Sequence, residues 1–185
     1  MTGDEELWER LWRGERDAFE LLYREYGAGI RGFLRQYVGN TAAEDICQET
    51  FLQIWRRPNG FDPARGSLKS YLFGIARKRA AQWHRDEGRR AEGRGREANR
   101  QQPTPAEVPP PEPLSSGTDA LAQLRESLSQ LEPETRGLLW LREVEGYTYA
   151  ELAQILDVPM GTVKSRLFAA REEIVRLRRD CRTRC

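Results

Sequence analysis

The stretch Thr148 to Arg171, TYAELAQILDVPMGTVKSRLFAAR, reads as two short helices joined by a tight turn. Thr148 and Glu151 form a capping box: the threonine hydroxyl accepts from the Glu151 amide while the carboxylate reaches back to the Thr148 amide. Leu152, Ile155 and Leu156 recur at the spacing of one buried helical face. Pro159 stops that helix at Val158 or just before it and sets the backbone for the next. In the second helix Val163, Leu167, Ala170 and Ile174 make the inward stripe, leaving Lys164, Ser165, Phe168 and Ala169 outside. This is the pattern of a helix-turn-helix, whose outward face meets base edges and phosphates in a major groove. A helical hairpin closing a bundle is the plainer alternative for these 24 positions, about seven turns of helix.

Charge supports the nucleic-acid reading. The 185 residues carry 30 basic and 29 acidic side chains, a net charge of +1, so the whole molecule is no polycation. The distribution is uneven, however: residues 1–62 hold 12 acidic and 8 basic side chains, 64–101 hold 4 and 11, and 164–185 hold 3 and 8. Two basic segments behind an acidic one predict nucleic acid at two places and a different partner at the front. The N-terminus has no apolar stretch behind a basic start, and no run approaches a membrane span, which predicts a cytoplasmic protein without membrane insertion. Cys47, Cys181 and Cys185 are too few for a secreted disulfide framework.

Working back toward the start, Leu7, Trp8, Leu11 and Trp12 sit at helical spacing, and Asp17-x-x-Glu20 is a second capping box opening a longer helix. Phe19, Leu22, Tyr23, Tyr26, Ile30, Phe33, Leu34 and Tyr37 give that helix an apolar face destined for a core. Thr41-x-x-Glu44 is a third box, opening AEDICQETFLQIWRR, where Ile46, Cys47, Phe51 and Ile54 face inward and Asp45, Gln48 and Glu49 fall on the opposite side. The lone histidine, His84, lies far from these carboxylates in sequence, so the ligand set for a transition metal is missing, and no metal or cofactor is expected. His84 itself reads as a polar residue at a helix end. Pro58, Asn59, Gly60, Pro63 and Gly66 mark a loop, with Ser67 as N-cap of a helix from Leu68 to about Arg85. That helix buries Leu68, Leu72, Ile75 and Ala76 and carries Lys69, Arg77, Lys78, Arg79 and Arg85 among Tyr71, Phe73 and Trp83. Cations tracking a backbone and rings stacking on unpaired bases are what single-stranded nucleic acid requires; core packing is the competing role, favoured for Phe73 and open for Tyr71.

From Glu87 to Gly117 the pattern dissolves into Arg, Gly, Gln, Pro and Ser, a composition that buries no core and reads as a flexible linker. Beyond it Leu121, Leu124, Leu128 and Leu131 define a helix capped near Thr118 or Asp119. Another follows Pro133 with Leu138, Leu139, Leu141 and Val144, ending at Gly146 as C-cap. The expected architecture is all-α: a helical domain over 1–86, a linker over 87–117, and a second helical domain over 118–185 that ends in the helix-turn-helix and a fraying basic tail.

Three motifs thus stand in one order: AEDICQETFLQIWRR, then FDPARGSLKSYLFGIAR, then EGYTYAELAQILDVPMGTVKSRLFAARE behind a proline-rich linker. Together they resemble the extracytoplasmic function (ECF) group of bacterial sigma factors, within the sigma-70-type family, over roughly residues 14–86 and 119–178. The resemblance implies a promoter-recognition subunit of RNA polymerase that binds and does not catalyse. It implies that Asp45, Gln48, Glu49, Phe51 and Trp55 dock on the beta-prime clamp coiled coil, with the beta flap as a further polymerase contact. Phe61, Arg65, Ser67, Lys69, Tyr71, Arg77 and Lys78 would melt and read the minus-10 element as a displaced strand. Arg142, Lys164, Ser165, Arg166, Phe168 and Arg171 would read the minus-35 element as duplex. An anti-sigma factor is the further partner the resemblance implies. Lys78 stands where relatives often carry Asn, Ala169 where a basic residue is common, and Tyr71 where a Trp is usual.

Two other functions are compatible with parts of the pattern. A regulator using the same helix-turn-helix without polymerase would bind duplex DNA tightly by itself. A recombinase would need one of Ser67, Ser70 or Tyr71 activated as nucleophile beside Arg65, Arg77 or Arg79, together with a rigid base and phosphate clamp. Cys181 and Cys185, four apart, are suited at most to half a tetrahedral thiolate site.

Overall fold

The computed structural model describes residues 3–57, 60–94 and 118–183, with side chains described except over 91–94, 118–123 and 180–183. The described residues form eight α-helices: α1 (Gly3–Trp12), α2 (Arg16–Val38), α3 (Asn40–Arg56), α4 (Leu68–Arg94), α5 (Thr118–Ser129), α6 (Pro133–Glu143), α7 (Tyr149–Leu156) and α8 (Met160–Thr183), plus a 3-10 turn at Pro63–Arg65. Strands are absent among the described residues, as the helical periodicities predict.

The first domain is α1 to α4. α2 packs on α3 and α4, and α1 lies across α2 and α4. Its core holds Leu22, Ile30, Phe33, Leu34, Ile46, Cys47, Phe51, Ile54, Leu68 and Leu72, all essentially solvent-free. Trp8 packs edge-on against Phe61 at 5.2 Å and Tyr71 at 5.5 Å, so α1 anchors the loop that precedes α4. His84 does not sit at a helix end. It lies inside α4, where its Nε2–H donates to the Tyr37 carbonyl at 2.8 Å, satisfying one of the orphan carbonyls in the last turn of α2.

Three boundaries differ from the sequence expectation. α2 begins at Arg16 behind Glu15 and α3 begins at Asn40 behind Gly39, neither with a side-chain cap, so the Asp17 and Thr41 boxes do not form. Gly39, at φ 79°, closes α2 and opens α3 within one residue, which places Thr41 already inside a helix. α4 runs on to Arg94 instead of ending near Arg85, because Asp86–Arg89 and Glu87–Arg90 pairs three residues apart support a polar last stretch. The first part of the expected linker is therefore helix, and residues 95–117 lie outside the described residues.

The second domain is α5 to α8, with Leu131, Leu138, Leu141, Leu152, Ile155, Val163, Leu167 and Ala170 buried. α6 stops at Glu143, with Gly146 at φ 74° just past its end, and Val144 is exposed rather than buried. The Leu121 side chain and the cap of α5 fall outside the described side chains, as do Cys181 and Cys185.

The domains touch. α6 lies on α2 and α7 on α4, forming a seam. Across it Tyr37 Oη donates to Glu134 at 2.8 Å, Arg136 Nε donates to the Gln36 carbonyl at 3.0 Å, and Lys69 pairs with Glu145 at 3.2 Å.

Candidate nucleic-acid interface

The helix-turn-helix forms as its residues dictate. Glu151 accepts from the Thr148 amide at 2.8 Å and its own amide donates to Thr148 Oγ1 at 3.3 Å, completing the capping box. Asp157 takes the left-handed turn at φ 55°, a conformation that short polar side chains tolerate, and α8 starts just after Pro159. Val163, Leu167 and Ala170 turn inward, and Lys164, Ser165, Phe168 and Ala169 are exposed, Phe168 at 67%.

Lys164, Phe168 and Arg171 share one face of α8. Lys164 Nζ lies 6.0 Å from the Tyr149 ring centroid, and Arg171 pairs with Glu143 at 2.7 Å, the contact that chiefly raises its pKa. Ser165 donates to the Thr162 carbonyl at 3.0 Å. Arg142 does not stand free as a phosphate contact: it donates to the Tyr147 carbonyl at 2.6 Å and covers the Tyr149 ring at 4.8 Å, pinning the α6–α7 connection. Arg166 is exposed and borders a cavity at the seam with Arg77, Glu134 and Tyr37.

Around the N-terminal half of α4, Ser67 caps the helix by accepting from the Ser70 amide at 3.1 Å, and donates its hydroxyl to Ser70 Oγ at 3.0 Å. Both serines are thus engaged with each other at the start of α4. Phe61 and Tyr71 are half-buried, 5.7 Å apart, and burial raises the Tyr71 hydroxyl pKa. Their rings border a cavity of about 240 Å³ together with Arg65, Lys78 and Ser67. Arg79 faces the other way, donating to Glu49 at 2.6 Å and to Gln53 at 3.0 Å on α3. Phe73 is core, as the competing role for it held.

On α3, Asp45, Gln48 and Glu49 are exposed together, and Leu52 and Trp55 add apolar surface beside them at 43% and 37% exposure. Phe51 does not belong to this face. It is 1% exposed and packed edge-on by Phe19 and Tyr23, so it offers a partner nothing. Its spacing from Gln48 is three residues, but Ile46, Cys47 and Thr50 show that its side of the helix is the inner one.

Sequence reasoning missed Leu52 on the docking face and Tyr147 and Trp140 at the seam. Tyr147 is 2% exposed, with its ring 5.4 Å from Phe73 and 4.6 Å from Lys69 Nζ. Burial pushes its hydroxyl pKa far up. One signal was present: α2 carries Gly27, Gly29 and Gly32 inside a helix, and a Cβ at Gly32 would come within 2.5 Å of the Trp140 ring.

Residues 22–90 match the family model described as "Sigma-70 region 2", and residues 121–174 match "Sigma-70, region 4". The ECF RNA polymerase sigma-E factor of Haemophilus influenzae is 30% identical over 178 residues, covering 92% of this chain and 93% of that protein. The RNA polymerase sigma-H factor of Pseudomonas aeruginosa is 32% identical over 179 residues, covering 92% and 91%. Among solved structures, the sigma factor RpoE of Bartonella quintana, in complex with the anti-sigma factor NepR, superposes with a TM-score of 0.68 at 24% identity, covering 86% of this chain and 95% of that one, a likeness of fold. Both halves of the chain, in this order and over nearly its whole length, belong to the sigma-70 family, and within it to the ECF sigma factors.

Proposed function

We propose that this chain is a cytoplasmic sigma subunit that binds core RNA polymerase, reads the minus-35 element as duplex through α8, and melts and reads the minus-10 element through α4 and its preceding loop. The observation that carries the reading is the agreement of two divisions: the region 2 match covers α2 to α4, and the region 4 match covers α5 to α8. The protein supplies binding and no bond chemistry. Unpairing costs a few kcal/mol per base step, which stacking and phosphate contacts offset.

In this reading the α3 face of Asp45, Gln48, Glu49 and Trp55, with Leu52, docks on the beta-prime clamp coiled coil. Charged groups give orientation, and Leu52 and Trp55 give the apolar contact that a stable interface requires. Lys164, Phe168 and Arg171 meet the minus-35 duplex, and Arg65, Lys69 and Lys78 follow the minus-10 strand beside Phe61 and Tyr71. The beta flap and an anti-sigma factor are the remaining partners. Among the described residues no helix is long and apolar enough to cross a membrane.

The test is transcription in vitro with purified chain, core polymerase and a promoter library, sequencing the transcripts. Starts that depend on the chain and share two spaced elements support the reading. Tight, specific duplex binding by the free chain with no chain-dependent starts would replace it with a stand-alone regulator. Asp45→Lys with Gln48→Ala is expected to abolish holoenzyme assembly with the circular-dichroism spectrum unchanged; retained assembly removes the docking assignment.

A further inference from the structure

The helix-turn-helix holds two residues beside the outer face of α8 that none of the roles above uses. Tyr149 is the first residue of α7, fixed there by the Thr148–Glu151 capping box. Glu143 is the last residue of α6. Cations gather around this pair. Arg142 lies over the Tyr149 ring at 4.8 Å, and Lys164 Nζ stands 6.0 Å from the centroid of the same ring. Arg171 Nη2 donates to Glu143 Oε1 at 2.7 Å. The Glu143 carboxylate first, and then hydrogen bonding with Tyr149, raise the Arg171 pKa, so carboxylate and tyrosine act on one guanidinium.

A surface that holds its cations still differs from a merely basic one. Lysine and arginine on an open helix face sample many rotamers, and immobilising each on binding lowers affinity by a factor of about 2 to 10. Where a ring face and a carboxylate already hold the side chains, that loss has been incurred on folding, and only base edges that fit the preset geometry gain from it. The contacts join α6, α7 and α8, so the cations take their positions from the whole helix-turn-helix and not from α8 alone. Arg142 ties the platform to the core: its Nη1 donates to the carbonyl of Tyr147, a residue 2% exposed. The Arg171 and Glu143 side chains remain open to a ligand, at 48% and 55% exposure, and a guanidinium has more N–H donors than one carboxylate takes.

Glu143 is also a negative charge on a face assigned to DNA. For affinity alone it is a liability, because a carboxylate there opposes the phosphate backbone. Its contribution is directional: it fixes where Arg171 points.

We propose that Tyr149 and Glu143 are positioning residues of the duplex-reading face: the Tyr149 ring is the platform for Arg142 and Lys164, Glu143 fixes the Arg171 guanidinium, and together they set which base pairs the cations of α8 meet. The inference rests on the sigma reading and deepens it, assigning sequence discrimination to two residues that act through the side chains of others.

Holoenzyme made with the full chain is titrated with two labelled duplexes of equal length, one carrying the upstream element of a start found by the transcript sequencing above and one with that element scrambled. Glu143→Gln removes a negative charge, so charge alone predicts tighter binding of both duplexes. Positioning predicts the opposite sign for one of them: binding of the element duplex weakens about 3- to 10-fold, with scrambled binding unchanged or tighter. Tyr149→Leu is expected to lose about 10-fold on the element duplex only, and Tyr149→Phe, which keeps the ring, to stay within about twofold of wild type. Unchanged or tighter binding of the element duplex by Glu143→Gln would overturn the role of Glu143. An equal change on both duplexes in Tyr149→Leu, or no rescue by Tyr149→Phe, would overturn that of the ring, since a merely structural defect lowers both affinities alike. Should Tyr149→Leu lose helix content, Glu143→Gln decides, because that substitution lies at an exposed position. A wild-type holoenzyme that fails to tell the two duplexes apart would strike the sigma reading itself, and is thereby distinguishable from failure of the positioning role.

Discussion

α4 and α8 are both basic helices with aromatic neighbours, yet the molecule treats them differently. On α8, Lys164 and Phe168 stand exposed, and the stripe of Val163, Leu167 and Ala170 takes the full burden of packing. On α4, Phe73 is buried, Lys69 is ion-paired, and Tyr71 leans into a cluster with Trp8 and Phe61. Residue type alone does not separate these outcomes. α8 is contacted by α5, α6 and α7, and α4 by α1, α2, α3 and α7, yet Lys164 and Phe168 stay outside while Lys69 and Tyr71 are engaged. The outer face of α8 therefore stands open, and much of the corresponding surface of α4 is already engaged.

The comparison can be broken most sharply at Tyr147. Tyr147→Ala is expected to cost about 3 to 5 kcal/mol in urea unfolding, as for other buried rings removed from a core. Tyr147→Phe should be close to neutral, because the hydroxyl has no partner to lose; a large cost for Phe would mean that the hydroxyl is satisfied in solution. Next comes Lys164→Ala, expected to weaken minus-35 duplex binding by holoenzyme by about 1 to 3 kcal/mol if the lysine reads a base. In the free chain, Lys69→Ala should change strand binding less than Lys164→Ala changes duplex binding, since Glu145 already occupies Lys69. Equal losses would erase the distinction between the helices.

Smaller effects sharpen the same contrast. Thr148→Ala removes the cap that sets the helix-turn-helix and should cost about 1 kcal/mol, read as a lower thermal midpoint with α4 unaffected. Cys47, inside α3, has a thiol pushed up by burial from its usual 9.0 to about 11. Its contribution to stability is complete below pH 9 and is lost as pH rises from 9 toward 11, because the unfolded thiol ionises first. With Cys181 and Cys185 replaced by serine, native Cys47 should resist alkylation at pH 8 and react on unfolding; rapid native labelling would contradict its burial.

The helix-turn-helix was legible nearly residue by residue, since its cap, its proline and its apolar spacing are all local. The inner faces of α2 and α3 were equally plain from periodicity. What escaped is non-local. Periodicity turned Phe51 inward, and the docking role that the resemblance added to it fails because packing from Phe19 and Tyr23 leaves it no exposed surface, unlike Trp55 four residues on. Arg142 sat at a basic position, and its engagement with the Tyr147 carbonyl and the Tyr149 ring depends on how α6 meets α7. The Asp17 and Thr41 boxes failed because a matching spacing is common while helix starts are set by what precedes them, here Glu15 and the left-handed Gly39.

The glycines of α2 carry a consequence beyond fit. Gly27, Gly29 and Gly32 fall within six residues of one helix, each about 1 kcal/mol less helical than alanine. While Trp140 and Glu145 lie across Gly32 and Gly29, those contacts offset the deficit. Without those contacts, the middle of α2 would be the softest turn of the first domain. In Trp140→Ala the amides of that turn should exchange with deuterium faster than those of α3, so the exchange rates of one short stretch report how firmly α6 is seated on α2.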